Sequence, residues 1–353
     1  MNNESKLNKR QDKILDIVEK KRKAAVSEIL ADIKNYFGEI SKITINRDLK
    51  RLLELNLITE SGKGRAVVYE LSPNYNLFKH INREKYFSVE TDKRNAREKF
   101  NFEIFPILKD IFIPEEEKHL KGLNKEYRDN IKKISENLLK KEFERLVIEL
   151  SWKSSQIEGN TYSLLETEFL IKEKKEAPGH KKEEAVMILN HKEALDYIIK
   201  NREIFKTFTV SKIEDIHRLL TNNLGILRGL RKRAVGITGT KYKPLNNEFQ
   251  IREALEKTCL SVNAEENPFA KAVIAMILIA YIQPFEDGNK RTSRLTGNAI
   301  LMAHDICPLS YRNMDEVEYK KAVILFYEQN NIGYFKKLFI EQFEFAVKNY
   351  FRI

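Results

Sequence analysis

The most informative stretch of the sequence is QPFEDGNKRTSR, which occupies residues 283–294. A buried apolar helix is predicted to end just before it, because Gln283 precedes Pro284 and the residue before a proline disfavours helical backbone. A second helix is predicted to begin near Asn289, so the glycine-containing turn opens directly onto a helix N-terminus. Free backbone N–H groups and the helix dipole make such a turn an anion-binding site.

The charged side chains of this stretch suit a polyphosphate. Arg291 and Arg294 lie three residues apart on the predicted helix, so both guanidinium groups can converge on one polyphosphate. Asp287 supplies a carboxylate, the hard oxygen ligand that would hold Mg²⁺. Phe285 is apolar in a polar loop, and we expect it to anchor the loop in the core. The stretch therefore predicts a site for a nucleotide and its metal.

The stretch resembles the active loop of the Fic (Fido) family, His-Pro-Phe-x-(Asp/Glu)-Gly-Asn-(Gly/Lys)-Arg-x-x-Arg, at every position except the first. The resemblance implies a mostly α-helical bundle with a small β-hairpin flap. It implies transfer of AMP from ATP, with Mg²⁺, onto a Ser, Thr or Tyr hydroxyl of a target protein. Asp287 would bind the metal, and the residues implied to contact nucleotide are Gly288, Asn289, Lys290, Arg291 and Arg294.

The departure from the family lies at Gln283, where the family has the histidine that deprotonates the attacking hydroxyl. An amide cannot take that proton near neutral pH, and losing a general base typically costs about 10²–10⁴-fold in rate. The six histidines lie elsewhere in the sequence, and we do not expect one of them to replace it. Gln283 is then a natural substitution in a slow or inert relative, part of a transfer that needs no base, or an introduced inactivating change. We favour the first.

A second signature lies in a predicted helix near residues 141–159, where Ser154 and Glu158 are one helical turn apart and Gly159 is a fitting stop. It resembles the family's inhibitory motif, (Ser/Thr)-x-x-x-Glu-(Gly/Asn). The resemblance implies that Glu158 pairs with Arg294 and blocks the seat of the terminal phosphate. The same letters occur at ordinary helix ends, so the inhibitory interpretation depends on the loop downstream.

Residues 231–244 are the best β-hairpin candidate in the large domain, with strand-like sequence from Val235 to Tyr242. They resemble the family's flap, which docks a segment of the target protein as an added strand. Thr240 and Tyr242 are the candidate flap residues, and the implied partner is a target protein with a hydroxyl side chain. A structural hairpin without a partner is the alternative.

Residues 1–72 are predicted to fold as three helices followed by a basic hairpin at GKGR, residues 62–65. This plan resembles bacterial winged helix-turn-helix regulators, which place the third helix in the major groove of DNA and the wing on the backbone. The implied DNA contacts are Asn46, Arg47, Lys50, Arg51, Lys63 and Arg65. A winged helix used for protein contacts or dimerisation is the alternative, and such regulators are often homodimers.

Composition agrees with these assignments. The net charge of +11 suggests an anionic partner, although a Lys-rich surface from a biased genome would produce it too. Two cysteines without a CxxC pair argue against a disulfide framework or zinc knuckle. No signal peptide is visible and the longest apolar run is too short to span a bilayer, so we expect a cytoplasmic protein without membrane contact.

The predicted organisation is a winged helix at residues 1–72, a connector at residues 73–100 and a Fic-type domain at residues 101–353. The favoured function is a self-inhibited protein adenylyltransferase of low or altered activity. The alternative is a catalytically inert regulator that senses nucleotide and binds DNA. A third possibility is removal of AMP from modified proteins, with Glu158 positioning water.

Overall fold

The computed structural model describes residues 7–352, apart from the side chain of Arg65, and divides into two compact units. The first unit comprises the chain up to Arg94 together with residues 329–333, and the second comprises the remainder. Residues 73–94, predicted to belong to a connector, therefore lie within the first unit.

The described part of the first unit contains five α-helices and a small sheet. It begins with α1 (Lys9–Lys21), β1 (Lys23–Ala25), α2 (Val26–Phe37) and α3 (Lys42–Glu54), and continues with β2 (Ile58–Ser61), β3 (Val68–Leu71), α4 (Tyr75–Phe78) and α5 (Arg83–Ser88). The strands form an antiparallel sheet in the order β1-β3-β2. The order of α1, α2, α3 and the β2–β3 hairpin agrees with the predicted order of three helices and a hairpin, whereas β1, α4 and α5 were not predicted.

Two local features shape this unit. Gly62 leaves β2 with φ at +96°, and a Cβ at that position would lie 2.3 Å from the carbonyl oxygen of Ala66, so only glycine fits this turn. Asp48 of α3 is buried and accepts hydrogen bonds from Arg10 Nη2 and Gln11 Nε2, both at 3.2 Å. The carboxylate joins the first and third helices and is satisfied inside the unit.

The second unit is helical. Its helices are α6 (Ile104–Ile107), α7 (Pro114–Ile131), α8 (Glu136–Gln156), α9 (Leu164–Glu173), α10 (Lys182–Lys200), α11 (Val210–Leu220), α12 (Glu248–Ala264), α13 (Pro268–Ile282), α14 (Asn289–Ala303), α15 (Glu316–Gln329) and α16 (Gly333–Asn349). Within residues 7–352, no helix has both the length and the apolarity needed to cross a bilayer.

Helices α13 and α14 form the centre of this unit. Every residue of α13 from Ala272 onward is buried, as its uninterrupted apolar sequence predicts. The side chain of Asn267 caps the helix start by accepting from Phe269 N at 3.0 Å, and Pro268 occupies the first turn. The two helices approach closely at Gly297, where an added Cβ would lie 2.3 Å from Met276 Sδ. Their close packing therefore fixes the ends of the intervening loop.

The structure differs from the prediction at the flap. Residues 231–244 contain no strand, and the one bridge found there pairs Lys243 with Lys99 in parallel. The guanidinium group of Arg231 instead links the two ends of the segment by donating to the carbonyl oxygens of Arg233 and Leu245. A strand-like sequence needs a partner backbone to form a β ladder. Here the side chain of Arg231 donates hydrogen bonds to the carbonyl groups instead.

We expect Gly297→Ala to lower the free energy of unfolding by about 1–3 kcal/mol, because the new methyl group overpacks the contact with Met276. Thermal melting followed by circular dichroism measures the change. Gly122→Ala is the matched control. Gly122 lies exposed inside α7 with no atom within 4 Å of an added Cβ, so we expect a small gain in stability of about 0.5–1 kcal/mol. Equal melting temperatures for the two variants would contradict the close α13–α14 contact.

Candidate functional site

The loop at residues 283–288 is held by hydrogen bonds to its own backbone. Phe285 is fully buried, and Asn289 brackets it: Oδ1 accepts from Phe285 N and Nδ2 donates to Phe285 O, both at 2.8 Å. Gly288 ends the loop with φ at +78°, and a Cβ there would lie 3.2 Å from Thr221 Cγ2. Phe285 therefore lies in the core as expected, while the Asn289 side chain, which the family resemblance assigns to the phosphates, is used to brace the loop.

Gln283 terminates α13 in the left-handed conformation, with φ at +50°. Its side-chain Nε2 donates to Ala280 O at 2.7 Å and to the hydroxyl of Tyr327 at 3.2 Å. The residue is 7% exposed. The amide is thus bound to the end of its own helix, and it offers no atom that is basic near neutral pH.

Arg231 secures the same turn, although the sequence analysis placed it only in the flap. Its side chain is buried, its Nε donates to Gln283 O at 2.6 Å, and its backbone N donates to Pro284 O at 3.0 Å. Burial lowers the pKa of this guanidinium. Because the same group also bonds the carbonyls of residues 233 and 245, the flap segment and the loop share one anchor.

The second arginine of the loop meets the upstream glutamate. Arg294 is fully buried; its Nη1 lies 2.9 Å from Glu158 Oε1, and its Nε donates to Ser154 Oγ at 2.9 Å. Burial opposes both charges, but the pairing raises the pKa of Arg294 and lowers that of Glu158. Removing one partner of a buried pair leaves an uncompensated charge, which is strongly unfavourable. An anion that enters here must replace Glu158 as the partner of Arg294.

Glu158 has a second cationic neighbour. Lys290 Nζ lies 3.5 Å from Glu158 Oε2, so one carboxylate is shared between two cations of α14. Glu158 itself follows the end of α8, and the next residue, Gly159, has φ at +98°. Gly159 reverses the chain direction immediately after the helix, and the Glu158 carboxylate at this helix end contacts α14.

Arg291 has fewer partners than Arg294. Its side chain is buried, its Nη2 lies 3.7 Å from Asp287 Oδ2, and its Nε and Nη1 have no hydrogen-bond partner among the described residues. Burial lowers its pKa. Buried donors without partners are rare, and these lie in the first turn of α14, where the helix dipole favours an anion. The site fits phosphate groups, and the exposed carboxylate of Asp287 suits a Mg²⁺ ion bound with them.

His217 of α11 also belongs to the site, and the sequence analysis missed it. Its ring stacks on Phe285 with centroids 3.7 Å apart and planes 9° from parallel, and its Nε2 lies 3.0 Å from Asp287 O. Burial lowers its pKa to about 4. A histidine among the buried Ile213 and Ile216 predicts a core position, and only the tertiary contact reveals its neighbour. It does not supply the missing base, because it is buried and Nε2 is engaged.

The two candidate flap residues face inward. Tyr242 is buried, its hydroxyl donates to Tyr281 O at 2.8 Å, and its ring stacks on that of Tyr281. Thr240 Oγ1 accepts from Tyr242 N at 3.1 Å and is half-buried. In this conformation neither side chain is presented to a docked segment, so any such contact falls to the backbone.

The predicted DNA contacts lie in the first unit. Exposed residues among them are Asn46, Arg47, Lys50 and Lys63. Arg51 is half-buried and forms an ion pair with Glu54 at 3.4 Å. The side chain of Arg65 lies outside the described part of the structure. Ile43, at the start of α3, is 73% exposed and shares the helix face of Asn46, Arg47 and Lys50.

The second unit belongs to the class of helical domains built around a glycine loop that feeds a helix N-terminus. Residues 207–301 match the model of the Fic/DOC family, and this match covers α11 to α14 and the loop between the last two. The chain therefore contains a Fic-type domain at these residues, and the resemblance read from the loop is confirmed.

Curated relatives carry the name protein adenylyltransferase. One from Nematostella vectensis is 31% identical over 170 residues, which cover 47% of this chain and 40% of that protein. One from Caenorhabditis elegans is 27% identical over 160 residues, which cover 43% of this chain and 31% of that protein. The chain thus spans less than half of the length of these relatives.

Solved structures share the fold. Fic-1 of Caenorhabditis elegans (residues 134–508) superimposes with a TM-score of 0.58 at 20% identity, covering 66% of this chain and 71% of that one. A Fic-domain signalling protein from Bacteroides thetaiotaomicron superimposes with a TM-score of 0.56 at 19% identity, covering 65% and 94%. The mostly helical fold predicted from the sequence is confirmed.

We expect Glu158→Gln to destabilise the chain by roughly 2 kcal/mol at neutral pH, because Arg294 loses its charged partner. The lowered pKa of Glu158 means that this advantage of the parent is complete above the ordinary glutamate pKa of 4.5 and is lost as pH falls below it. The difference in melting temperature between parent and variant should therefore shrink as the pH falls below about 5. Glu173→Gln, at the exposed end of α9, should follow the parent throughout. A difference that grows on acidification would contradict the pairing.

Proposed function

We propose that the second unit binds ATP with Mg²⁺ at the loop and the first turn of α14, and that the chain is a self-inhibited protein adenylyltransferase whose activity is weakened by Gln283. The observation that carries the proposal is Arg291, a buried arginine at a helix N-terminus whose Nε and Nη1 find no hydrogen-bond partner in the part of the chain that the structure describes. A buried cation with unmet hydrogen-bonding capacity supports a polyanionic ligand more strongly than a structural role.

The proposed role of each residue in binding phosphate or metal follows from its charge and position. Arg291 and the backbone N–H groups at the start of α14 would hold phosphate oxygens, and Arg294 would hold the terminal phosphate once Glu158 has left. Asp287 would hold Mg²⁺, which neutralises phosphate charge when it is bound. Lys290 contributes a point charge beside them, since its ammonium group lies near Glu158 in the present conformation.

In the proposed transfer, a hydroxyl oxygen of a target side chain forms a bond to the α-phosphorus while the bond to the pyrophosphate oxygen breaks. The hydroxyl proton needs an acceptor. Gln283 can only exchange hydrogen bonds, and its amide is engaged with Ala280 O and Tyr327. Turnover is therefore expected to be slow because the Gln283 side chain does not accept the hydroxyl proton, while nucleotide binding is expected to be intact.

Self-inhibition follows from the buried ion pair. A terminal phosphate approaching Arg294 meets the carboxylate of Glu158, and two anions at one buried cation repel each other. The target protein would dock along residues 231–244, whose backbone is not part of a ladder within the described residues and whose ends are held by Arg231.

Glu158→Gly should bind Mg·ATP about tenfold or more tightly than the parent, because the competing carboxylate is gone. Titration calorimetry measures this, with Glu173→Gly as the control for loss of an exposed glutamate. Gln283→His in the Glu158→Gly background should raise incorporation of α-labelled phosphate into protein by about 10²-fold or more, with little change in affinity.

The measurements separate binding from turnover. No binding of ATP by the Glu158→Gly chain would overturn the proposed site. Binding without label in the parent, in Glu158→Gly and in the double variant would overturn the adenylyltransferase and leave a nucleotide-binding domain. Incorporation of label is measured both on the chain itself and on proteins of a cell extract, because the site does not specify the target.

A second candidate function is a nucleotide-sensing DNA-binding regulator. The face of α3 supports it: Ile43, Asn46, Arg47 and Lys50 follow each other at helical spacing and are exposed, opposite the buried Ile45 and Leu49. Such a face combines an apolar group for thymine methyls, an amide suited to adenine and cations for guanine or phosphate. Lys63 adds a positive charge in the wing.

Lys50→Ala should weaken binding to a mixed-sequence duplex at low salt and lower the slope of log K against log salt by about 1, because one phosphate contact is lost. Lys20→Ala, which removes the same charge from the exposed end of α1, should leave both quantities unchanged. Fluorescence anisotropy across a salt series measures them. Failure of the parent to bind any duplex at low salt would eliminate this function.

A further inference from the structure

His217 makes two different contacts with the loop that follows α13. Its imidazole stacks on Phe285, with centroids 3.7 Å apart and planes 9° from parallel. Its Nε2 lies 3.0 Å from the backbone oxygen of Asp287. Because a carbonyl oxygen carries no hydrogen, Nε2 is the donor, and this contact fixes the ring tautomer. One side chain therefore holds both the buried part of the loop and its outer end.

The anchoring of the loop is divided among three side chains. Arg231 holds the carbonyl of Gln283, and Asn289 holds both backbone groups of Phe285. His217 holds the carbonyl of Asp287. That peptide carbonyl leads directly into Gly288 N, which donates to Asp287 Oδ1 at 2.6 Å. His217 thus acts on the peptide unit between the proposed metal ligand, Asp287, and the glycine that leads into α14.

The surroundings of His217 restrict its movement. It is 1% exposed, and Thr221, one turn later on α11, donates from Oγ1 to His217 O at 2.8 Å. The methyl group of Thr221 packs beside Gly288, where an added Cβ would lie 3.2 Å from Thr221 Cγ2. Helix α11 therefore presents a fixed donor and a fixed apolar contact to consecutive residues of the loop.

We propose that His217 is a positioning residue for nucleotide binding: by its stack on Phe285 and its hydrogen bond to Asp287 O, it sets the direction of the Asp287 carboxylate and the Gly288 amide. The inference rests on the proposed nucleotide site. His217 touches no reacting group, because the ring is buried behind the loop backbone that it supports. Its role is to keep the cradle in one shape before the ligand arrives.

Three substitutions separate the two contacts. His217→Gln places an amide nitrogen at the reach of the imidazole Nε2 and keeps the donor. His217→Asn is one methylene shorter and loses it. His217→Phe keeps the stack and leaves Asp287 O without a donor. Each is made in the Glu158→Gly chain, and each is compared by melting temperature, by calorimetric titration with Mg·ATP, and by amide hydrogen exchange of residues 283–294 without nucleotide.

The expected result is an affinity for Mg·ATP about tenfold weaker in His217→Asn and His217→Phe than in His217→Gln. Exchange of the loop amides should be faster in the same two variants, while the melting temperatures of the Gln and Asn variants agree. A purely structural role would lower the melting temperature of the Gln and Asn variants equally and would not be rescued by Gln.

The outcomes distinguish this inference from the function on which it rests. If the Glu158→Gly chain binds Mg·ATP and the Gln and Asn variants bind it equally well, the positioning role is overturned and the nucleotide site stands. If the Glu158→Gly chain binds no ATP, the proposed function fails. Amide hydrogen exchange of residues 283–294 then still tests whether His217 holds the loop. Equal exchange rates in the Gln and Asn variants would overturn that role.

Discussion

The site depends on the fact that α14 carries two guanidinium groups into the interior of a helical unit, where each positive charge needs a partner. Arg294 obtains one from Glu158, with Ser154 accepting beside it. Arg291 is also buried, and within residues 7–352 its one ion-pair partner is the carboxylate of Asp287 at 3.7 Å. An isolated buried charge is costly, so Arg294 holds the end of α8 against α14, and Arg291 has donors that an anion would satisfy.

The groups that hold the loop backbone are separate from the side chain that occupies the family's histidine position. The loop is braced by Asn289, Arg231 and His217, and none of these braces uses the side chain of Gln283. The amide of Gln283 is itself satisfied by Ala280 O and the hydroxyl of Tyr327. The position of the family's histidine is therefore occupied by an amide that takes no part in holding the loop backbone.

Local signals predicted much of the site. Apolar periodicity and Pro284 predicted the end of α13, Gly288 predicted the turn, and the spacing of Ser154 and Glu158 predicted that they lie one helical turn apart at the end of α8. The hairpin predicted at residues 231–244 is absent. A β ladder needs a partner backbone, and the side chain of Arg231 binds the carbonyl groups instead. Residues 73–94 looked irregular in sequence, yet short helices place them within the first unit.

The amino-acid sequence specifies the residue types, their spacing and the local turns: a proline and a glycine shape the loop, two arginines follow at helical spacing, and an amide stands where a base is expected. These follow from short-range sterics and hydrogen bonding, which act within a few residues. Tertiary packing decides which distant groups meet the loop. His217 lies 70 residues before Asp287 and Glu158 lies 136 residues before Arg294, and only the packing of α8 and α11 against α14 brings them within hydrogen-bond distance.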